Sequence, residues 1–190
     1  MNFKSKNIVI IGGSSGIGRG IAESFIEKGA NVCITGTRES INDYDEEITE
    51  NIKKCFYRKL DLSETDNLKN LSLPFKNIHT LVCSQGIVAY DRKEFEIDTF
   101  KKIIDLNLNS VMASCSFFHE NLVRNKGSIV IIGSGASYHA VKGNPAYSAS
   151  KGGLLTLIKT LAEAWAINGI RVNGIAPGYV ATKLTEVTFG

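Results

Sequence analysis

Short apolar runs alternate with longer amphipathic stretches along this chain, and that alternation restricts the fold more than any other feature. The runs are NIVIIG (7–12), NVCITG (31–36), KCFYRKL (54–60), HTLVCS (79–84), SIVIIGS (128–134) and IRVNGIA (170–176). Most are rich in Val and Ile and continuous rather than alternating, as in strands covered on both faces. Between them, residues 17–28 read as a helix that stops at Gly29, and residues 146–168 as a long helix that stops at Gly169. Residues 99–124 carry apolar positions at 103, 104, 106, 108, 111 and 112, a further helical pattern. Strand–helix alternation predicts an α/β fold with a six-stranded parallel sheet. The 190 residues suit a single domain, with no repeat and no interdomain linker. The polar, acidic segment 38–53 is expected to be a surface helix or loop whose charges solvate that face.

A net charge of +3, with Lys and Arg dispersed, argues against a nucleic-acid or membrane partner. Cys33, Cys55, Cys83 and Cys115 form no CxxC pair and have no histidine at zinc-ligand spacing. They are expected to be small buried hydrophobes in a reducing cytosol, so no metal site is expected. The chain enters a strand almost at once, with no signal-peptide pattern and no apolar run long enough to span a membrane. A cytoplasmic location is the expectation.

Gly12, Gly13, Gly16 and Gly18 follow the first strand and open the first helix. Glycines allow a sharp turn and close approach of the backbone to a pyrophosphate, and the helix N-terminus offers N–H groups and a positive dipole end. The spacing differs from the usual GxGxxG, but strand before and helix after supply the confirming context. A bare structural turn is the alternative. About 20 residues on, the second strand ends in Gly36-Thr37-Arg38. An NAD site usually places a carboxylate there for the ribose 2′-hydroxyl. Here glycine, a hydroxyl and a cation would welcome a 2′-phosphate, so NADP(H) is favoured over NAD(H). Glu39 could partly neutralise Arg38, or Arg38 could simply point to solvent.

In YSASK, Tyr147 and Lys151 lie four residues apart on one face of a helix. Lowering a tyrosine pKa from about 10 to about 7 takes roughly 4 kcal/mol. An ammonium about 4 Å away supplies about that much at an effective dielectric near 20. Such a pair alone is common on ordinary helix surfaces. Here Ser134 ends the fifth strand, where open α/β sheets bind substrate. Asn107 lies mid-helix, where a buried amide needs a reason. Pro177-Gly178 follow the sixth strand, with Thr182 just beyond.

Taken in order, the glycine turn, Asp61-Leu62, Asn107, Ser134, YSASK and APGYVAT resemble the short-chain dehydrogenase/reductase family, collinear from the first strand to Thr182. Within the family the likeness is to 3-oxoacyl-thioester reductases and related carbonyl reductases. The resemblance implies a three-layer, doubly wound Rossmann sheet with strand order 3-2-1-4-5-6. It implies that Tyr147 is the general acid/base between a carbonyl and a secondary alcohol, and that Ser134 stabilises the reacting oxygen. Lys151 would lower the tyrosine pKa and hold the nicotinamide ribose, and Asn107 would hold a relay water. The cofactor would contact Gly12, Ser14, Ser15, Gly16, Ile17, Gly18, Thr37, Arg38, Asp61, Leu62, Gly86, Tyr147, Lys151, Pro177, Gly178, Val180 and Thr182. A homotetramer or dimer is also implied, through the helices at 99–124 and 146–168. A NAD-dependent dehydrogenase and a non-catalytic nucleotide-binding relative remain alternatives. Ser137, Tyr138, His139, Tyr90 and Asp91 border the expected substrate side, with solvated loops as their plainer reading. Trp165 reads as core or interface packing.

The chain departs from the family in three places. Ile11 replaces a threonine whose hydroxyl braces the glycine turn. Cys83-Ser84-Gln85-Gly86 replaces Asn-Asn-Ala-Gly, which alters sheet bracing and a ribose contact. Family members run to about 250 residues in one domain, so a seventh strand and a substrate-covering segment, beginning near 184–190, are expected to lie outside these 190 residues, with a genuine short form as the alternative.

Overall fold

The computed structural model describes residues 3–44, 49–182 and 185. Six strands form one parallel sheet: β1 (Asn7–Ile11), β2 (Asn31–Gly36), β3 (Phe56–Lys59), β4 (Thr80–Cys83), β5 (Ser128–Ile132) and β6 (Arg171–Ile175). Their order is β3-β2-β1-β4-β5-β6, as the resemblance implies, with all pairs parallel. The helices are α1 (Gly16–Glu27), α2 (Glu50–Lys53), α3 (Ile97–Ile104), α4 (Ser110–Asn125) and α5 (Pro145–Ala166).

Alternate strand residues point to opposite faces, and both faces are dry. Val9, Ile11, Leu81, Cys83, Ile129 and Ile131 join Phe118, Leu122 and Leu154 in one core. Ile8, Ile10, Val32, Ile34 and Val82 join Ala22 and Ile52 in the other. Each fully buried Ile or Leu contributes about 2 kcal/mol. Helical cover on both faces is why these runs read as continuous apolar strands. The outer strands β3 and β6 are less buried than their runs suggested, because each has a strand neighbour on one side only among the described residues.

Two helical details matter for the site. Pro145 starts α5, where its fixed φ suits the first turn and its missing N–H costs nothing. The stretch expected as one helix over 99–124 is interrupted by a π turn at Asp105–Asn109, between α3 and α4. The extra residue in that turn is the physical reason Asn107 faces inward rather than along a regular helix face. The strand order reverses between β1 and β4, so their carboxyl ends open a crevice.

Candidate active site

A cleft of about 420 Å³ opens at that reversal. The glycine turn walls one side with Gly12, Ser14, Ser15, Gly16, Ile17 and Gly18. Gly12 has φ +74°, and a Cβ there would lie 2.8 Å from the Gln85 nitrogen, so only glycine fits. Its N–H donates to Thr35 Oγ1 at 3.2 Å. Thr35, on β2, thus supplies the hydroxyl that Ile11 lacks. Gln85, likewise, braces β4 against α4 by donating to Ser110 Oγ at 3.2 Å. The two departures from the family pattern are structurally compensated by neighbours on other elements.

α1 begins without a side-chain cap and with no acidic residue in its first turn. An anion is therefore the natural partner for that helix end. Leu60, Leu62, Ile87 and Ile132 give the cleft apolar walls, and Pro177, Gly178, Val180 and Thr182 cross its mouth. That last segment is held by two bonds, Gly133 N–H to the Ile175 carbonyl at 2.7 Å and Gly135 N–H to that of Pro177 at 2.9 Å. A phosphate cradle, apolar walls and a polar far end fit a dinucleotide.

The far end holds Ser134, Tyr147 and Lys151, all of which line the cleft. Ser134 sits where β5 gives way to a short turn, and its Oγ accepts the Ala136 N–H at 3.1 Å. It also acts on the Tyr147 phenol, lowering its pKa against the effect of burial. Lys151 is buried, its Nζ donating to the Ile132 carbonyl at 3.0 Å and lying 5.6 Å from the Tyr147 ring centroid. Ser137 Oγ donates to the Lys151 carbonyl at 2.7 Å, pinning the Ser134 turn to α5.

Asn107 is wholly buried and lies behind the cleft rather than in its wall. Its Oδ1 accepts the Ile87 N–H, and its Nδ2 donates to the Ile87 carbonyl, both at 2.8 Å. A further bond runs to Ser150 Oγ at 3.2 Å. The buried amide thus has its reason: it stands in for a strand partner of the β4 loop. Gly86 packs between it and Lys151, since a Cβ there would lie 3.4 Å from Asn107 Oδ1 and 3.6 Å from Lys151 Nζ.

One expectation reverses, that for Tyr147, and Asp61, Arg38 and Glu39 are placed as follows. The Tyr147 phenol has its pKa raised, not lowered: burial is the largest cause, outweighing the effect of Ser134, with Tyr90 and Glu94 adding to the rise. Lys151 does not offset this, because burial pushes its own pKa from 10.5 down to about 8. Asp61 lies outside the cleft wall, its carboxylate turned back to the Ser63 N–H at 2.9 Å. Arg38 also lies outside that wall, its guanidinium 4.8 Å over the Tyr44 ring. Glu39 pairs with Lys59 on β3 rather than neutralising Arg38.

Tyr44 is a cleft residue that the sequence reading missed. It sits in the acidic segment taken as a solvated face, and nothing local marks it. Its hydroxyl accepts the Arg38 N–H at 3.3 Å and fills the space a side chain at Gly36 would need. Burial would raise its pKa, but hydrogen bonds with Ser14, Tyr57, the Arg38 backbone and Thr37 lower it on balance. Of the other neighbours, His139 and Tyr138 are exposed, and Trp165 packs on His119 with ring centroids 4.6 Å apart. Residues 183, 184 and 186–190, where the covering segment was expected to begin, lie outside the described residues. Among the described residues no group of three His, Cys, Asp or Glu is placed to hold a metal, and no helix is long and apolar enough to cross a membrane.

Lys151 carries a pH-dependent cost. Below pH 8 the folded chain holds a buried charge, and the penalty is full. Between about 8 and 10.5 the unfolded chain binds a proton that the folded chain has released, so stability rises with pH. Lys151→Met is therefore expected to stabilise the fold at pH 7 by up to about 3 kcal/mol, and by clearly less at pH 10. Thermal unfolding at the two pH values checks this, and equal gains at both would refute it.

A family model described as short chain dehydrogenase matches residues 6–189. The chain is 30% identical over 190 residues to 2-dehydro-3-deoxy-D-gluconate 5-dehydrogenase of Bacillus subtilis, covering 97% of this chain and 75% of that protein. It is 32% identical over 193 residues to 3-oxoacyl-[acyl-carrier-protein] reductase of Salmonella typhimurium, covering 98% and 78%. Among solved structures, a proposed NAD(P)-dependent gluconate 5-dehydrogenase of Beutenbergia cavernae, with NADP bound at low occupancy, superimposes with a TM-score of 0.87 at 26% identity, covering 98% of this chain and 77% of that one. Matched by one family model from before its first strand almost to its last residue, this chain belongs to the short-chain dehydrogenase family of oxidoreductases.

Proposed function

We propose that the chain interconverts a carbonyl and a secondary alcohol with NADP(H), with Tyr147 as the general acid/base. The observation that carries this reading is the meeting of Tyr147, Ser134 and Lys151 in one cleft with an uncapped, glycine-opened helix end. The bound cofactor supplies the hydride and, when oxidised, a positive ring. Gly12, Ser14, Ser15, Gly16, Ile17 and Gly18 would hold its pyrophosphate, Leu62 and Gly86 its adenosine half, and Pro177, Gly178, Val180 and Thr182 its nicotinamide half. Tyr147 gives its phenolic proton to the substrate oxygen as charge develops there. Ser134, beside the phenol in the cleft, donates to that same oxygen. Lys151 holds the ribose hydroxyls and returns a proton to Tyr147. Asn107 shapes the Gly86–Ile87 backbone and offers a place for a relay water beside Lys151.

NADPH as the partner supports reduction as the working direction, with the protonated tyrosine as the donor. NADP(H) is supported by Gly36, by the Ser14, Thr37 and Tyr44 hydroxyls around it, and by Arg38 over the Tyr44 ring. A cytoplasmic setting is supported by four free cysteines. Pairing through α4 and α5 into a dimer or tetramer is supported by exposed Phe117 on α4 and Ile167 just past the end of α5.

Fluorescence titration with NADPH and NADH side by side tests this reading. NADPH is expected to bind tighter, and Arg38→Ala to weaken NADPH by about 10-fold or more while leaving NADH unchanged. Equal binding of both by the natural chain would overturn the NADP(H) preference alone. Binding of neither would overturn the catalytic reading with it.

A further inference from the structure

Glu94 plays no part in the chemistry above, yet its carboxylate is wholly buried. It lies in a short turn, Lys93–Phe95, beyond the β4 loop. Oε1 accepts the Ala89 N–H and Asn144 Nδ2, both at 3.1 Å. Oε2 accepts the backbone N–H of Tyr147 at 2.8 Å. All three partners are neutral donors. Only a group that accepts at both oxygens satisfies them together, so a carboxylate fits and an amide does not. A buried carboxylate without a cation is costly. It is tolerated here at the N-terminus of a 22-residue helix, where the dipole favours negative charge.

An ordinary cap would come from the residue just before the helix. Asn144 occupies that place but makes no side-chain cap bond, its amide turning instead to Glu94 and to the Ala89 carbonyl at 3.0 Å. The cap is supplied from 53 residues upstream, and the N–H it takes is that of Tyr147 itself. The chain between Ala89 and Glu94 holds Asp91 and Arg92 at φ 58° and 60°. That strain persists because the loop is clamped at both ends.

We propose that Glu94 is a positioning residue that locks Tyr147 to the β4 loop and tunes it as a proton donor. The proposal rests on the reading of Tyr147 as the acid/base. Burial is the largest cause that holds the proton on the phenol, Ser134 opposes it, and the charges of Tyr90 and Glu94 add to it, while Lys151 Nζ lies 5.6 Å from the ring centroid. A carboxylate at this place adds to the burial that raises the phenol's pKa.

The test needs no substrate. The chain has six tyrosines, so ring-labelled [13Cζ]tyrosine gives six resonances to follow by NMR from neutral to alkaline pH, with Tyr147 assigned by its loss in Tyr147→Phe. Glu94→Gln is expected to lower the Tyr147 midpoint by about half a pH unit or more, because a nearby negative charge is gone. Glu94→Asp, which keeps the charge, is expected to stay near the natural midpoint. Glu94→Met serves as a second charge-free variant if Glu94→Gln does not fold. An unmoved midpoint in a folded charge-free variant overturns the proposal. So does failure of both charge-free variants to fold while Glu94→Asp folds, because Glu94 would then serve stability alone. The acid/base reading itself falls on a different result, undiminished turnover by Tyr147→Phe.

Discussion

Tyr147→Phe is expected to reduce turnover by about 10³-fold while leaving NADPH affinity within about twofold. The substitution removes one oxygen from a half-buried ring and keeps the packing of α5. What it deletes is the proton delivered to the substrate oxygen and the phenol's interaction with Ser134. Positioned general acids contribute about 10²–10⁴ in rate, or roughly 3–5 kcal/mol of barrier. The cofactor's phosphates, by contrast, would sit at the glycine turn, at the other end of the cleft. Steady-state rates over a panel of carbonyl compounds, with NADPH titration in parallel, check both halves. A non-catalytic nucleotide-binding relative would be indifferent to the change. A variant that lost cofactor binding too would show that the phenol holds the cofactor rather than moving a proton.

Gly12→Ala is expected to lose NADPH binding by more than about 10²-fold and to destabilise the fold by roughly 3 kcal/mol. Two costs combine. At φ +74° a side chain is strained, which costs about 1–3 kcal/mol. The added Cβ would also meet backbone, 2.8 Å from the Gln85 nitrogen and 2.9 Å from its Cα, and backbone at the end of a buried strand cannot move aside cheaply. Relief requires parting the β1 and β4 ends, which is where the cleft opens and where the Gly12 N–H meets Thr35. Thermal unfolding and cofactor titration on the same sample separate the two effects. A variant that bound NADPH normally would show that the turn does not carry the phosphates.

The alternation of apolar runs and helical stretches determined the layers and the parallel sheet, because buried strands and amphipathic helices have different periods and both are written locally. The short spacings were equally legible. The glycine turn lies within seven residues and YSASK within five, so their geometry follows from one turn and one helix. Asn107, Ser134 and Tyr147 are far apart in the chain, and their common address came from motif order and not from local physics. Tertiary structure alone decided how they are held. The π turn that faces Asn107 inward is a one-residue accommodation between packed helices, invisible to a helical period. Thr35 and Gln85 replace missing bracing groups from other elements. Tyr44 sat in a polar segment that read as solvated and Glu94 was not singled out, since a charge or phenol in a loop looks the same whether it meets water or the N–H of a helix 53 residues away. The Tyr147 pKa shows the same limit most plainly. A lysine four residues on promised to lower it, but burial is a property of the whole fold, and burial raised it.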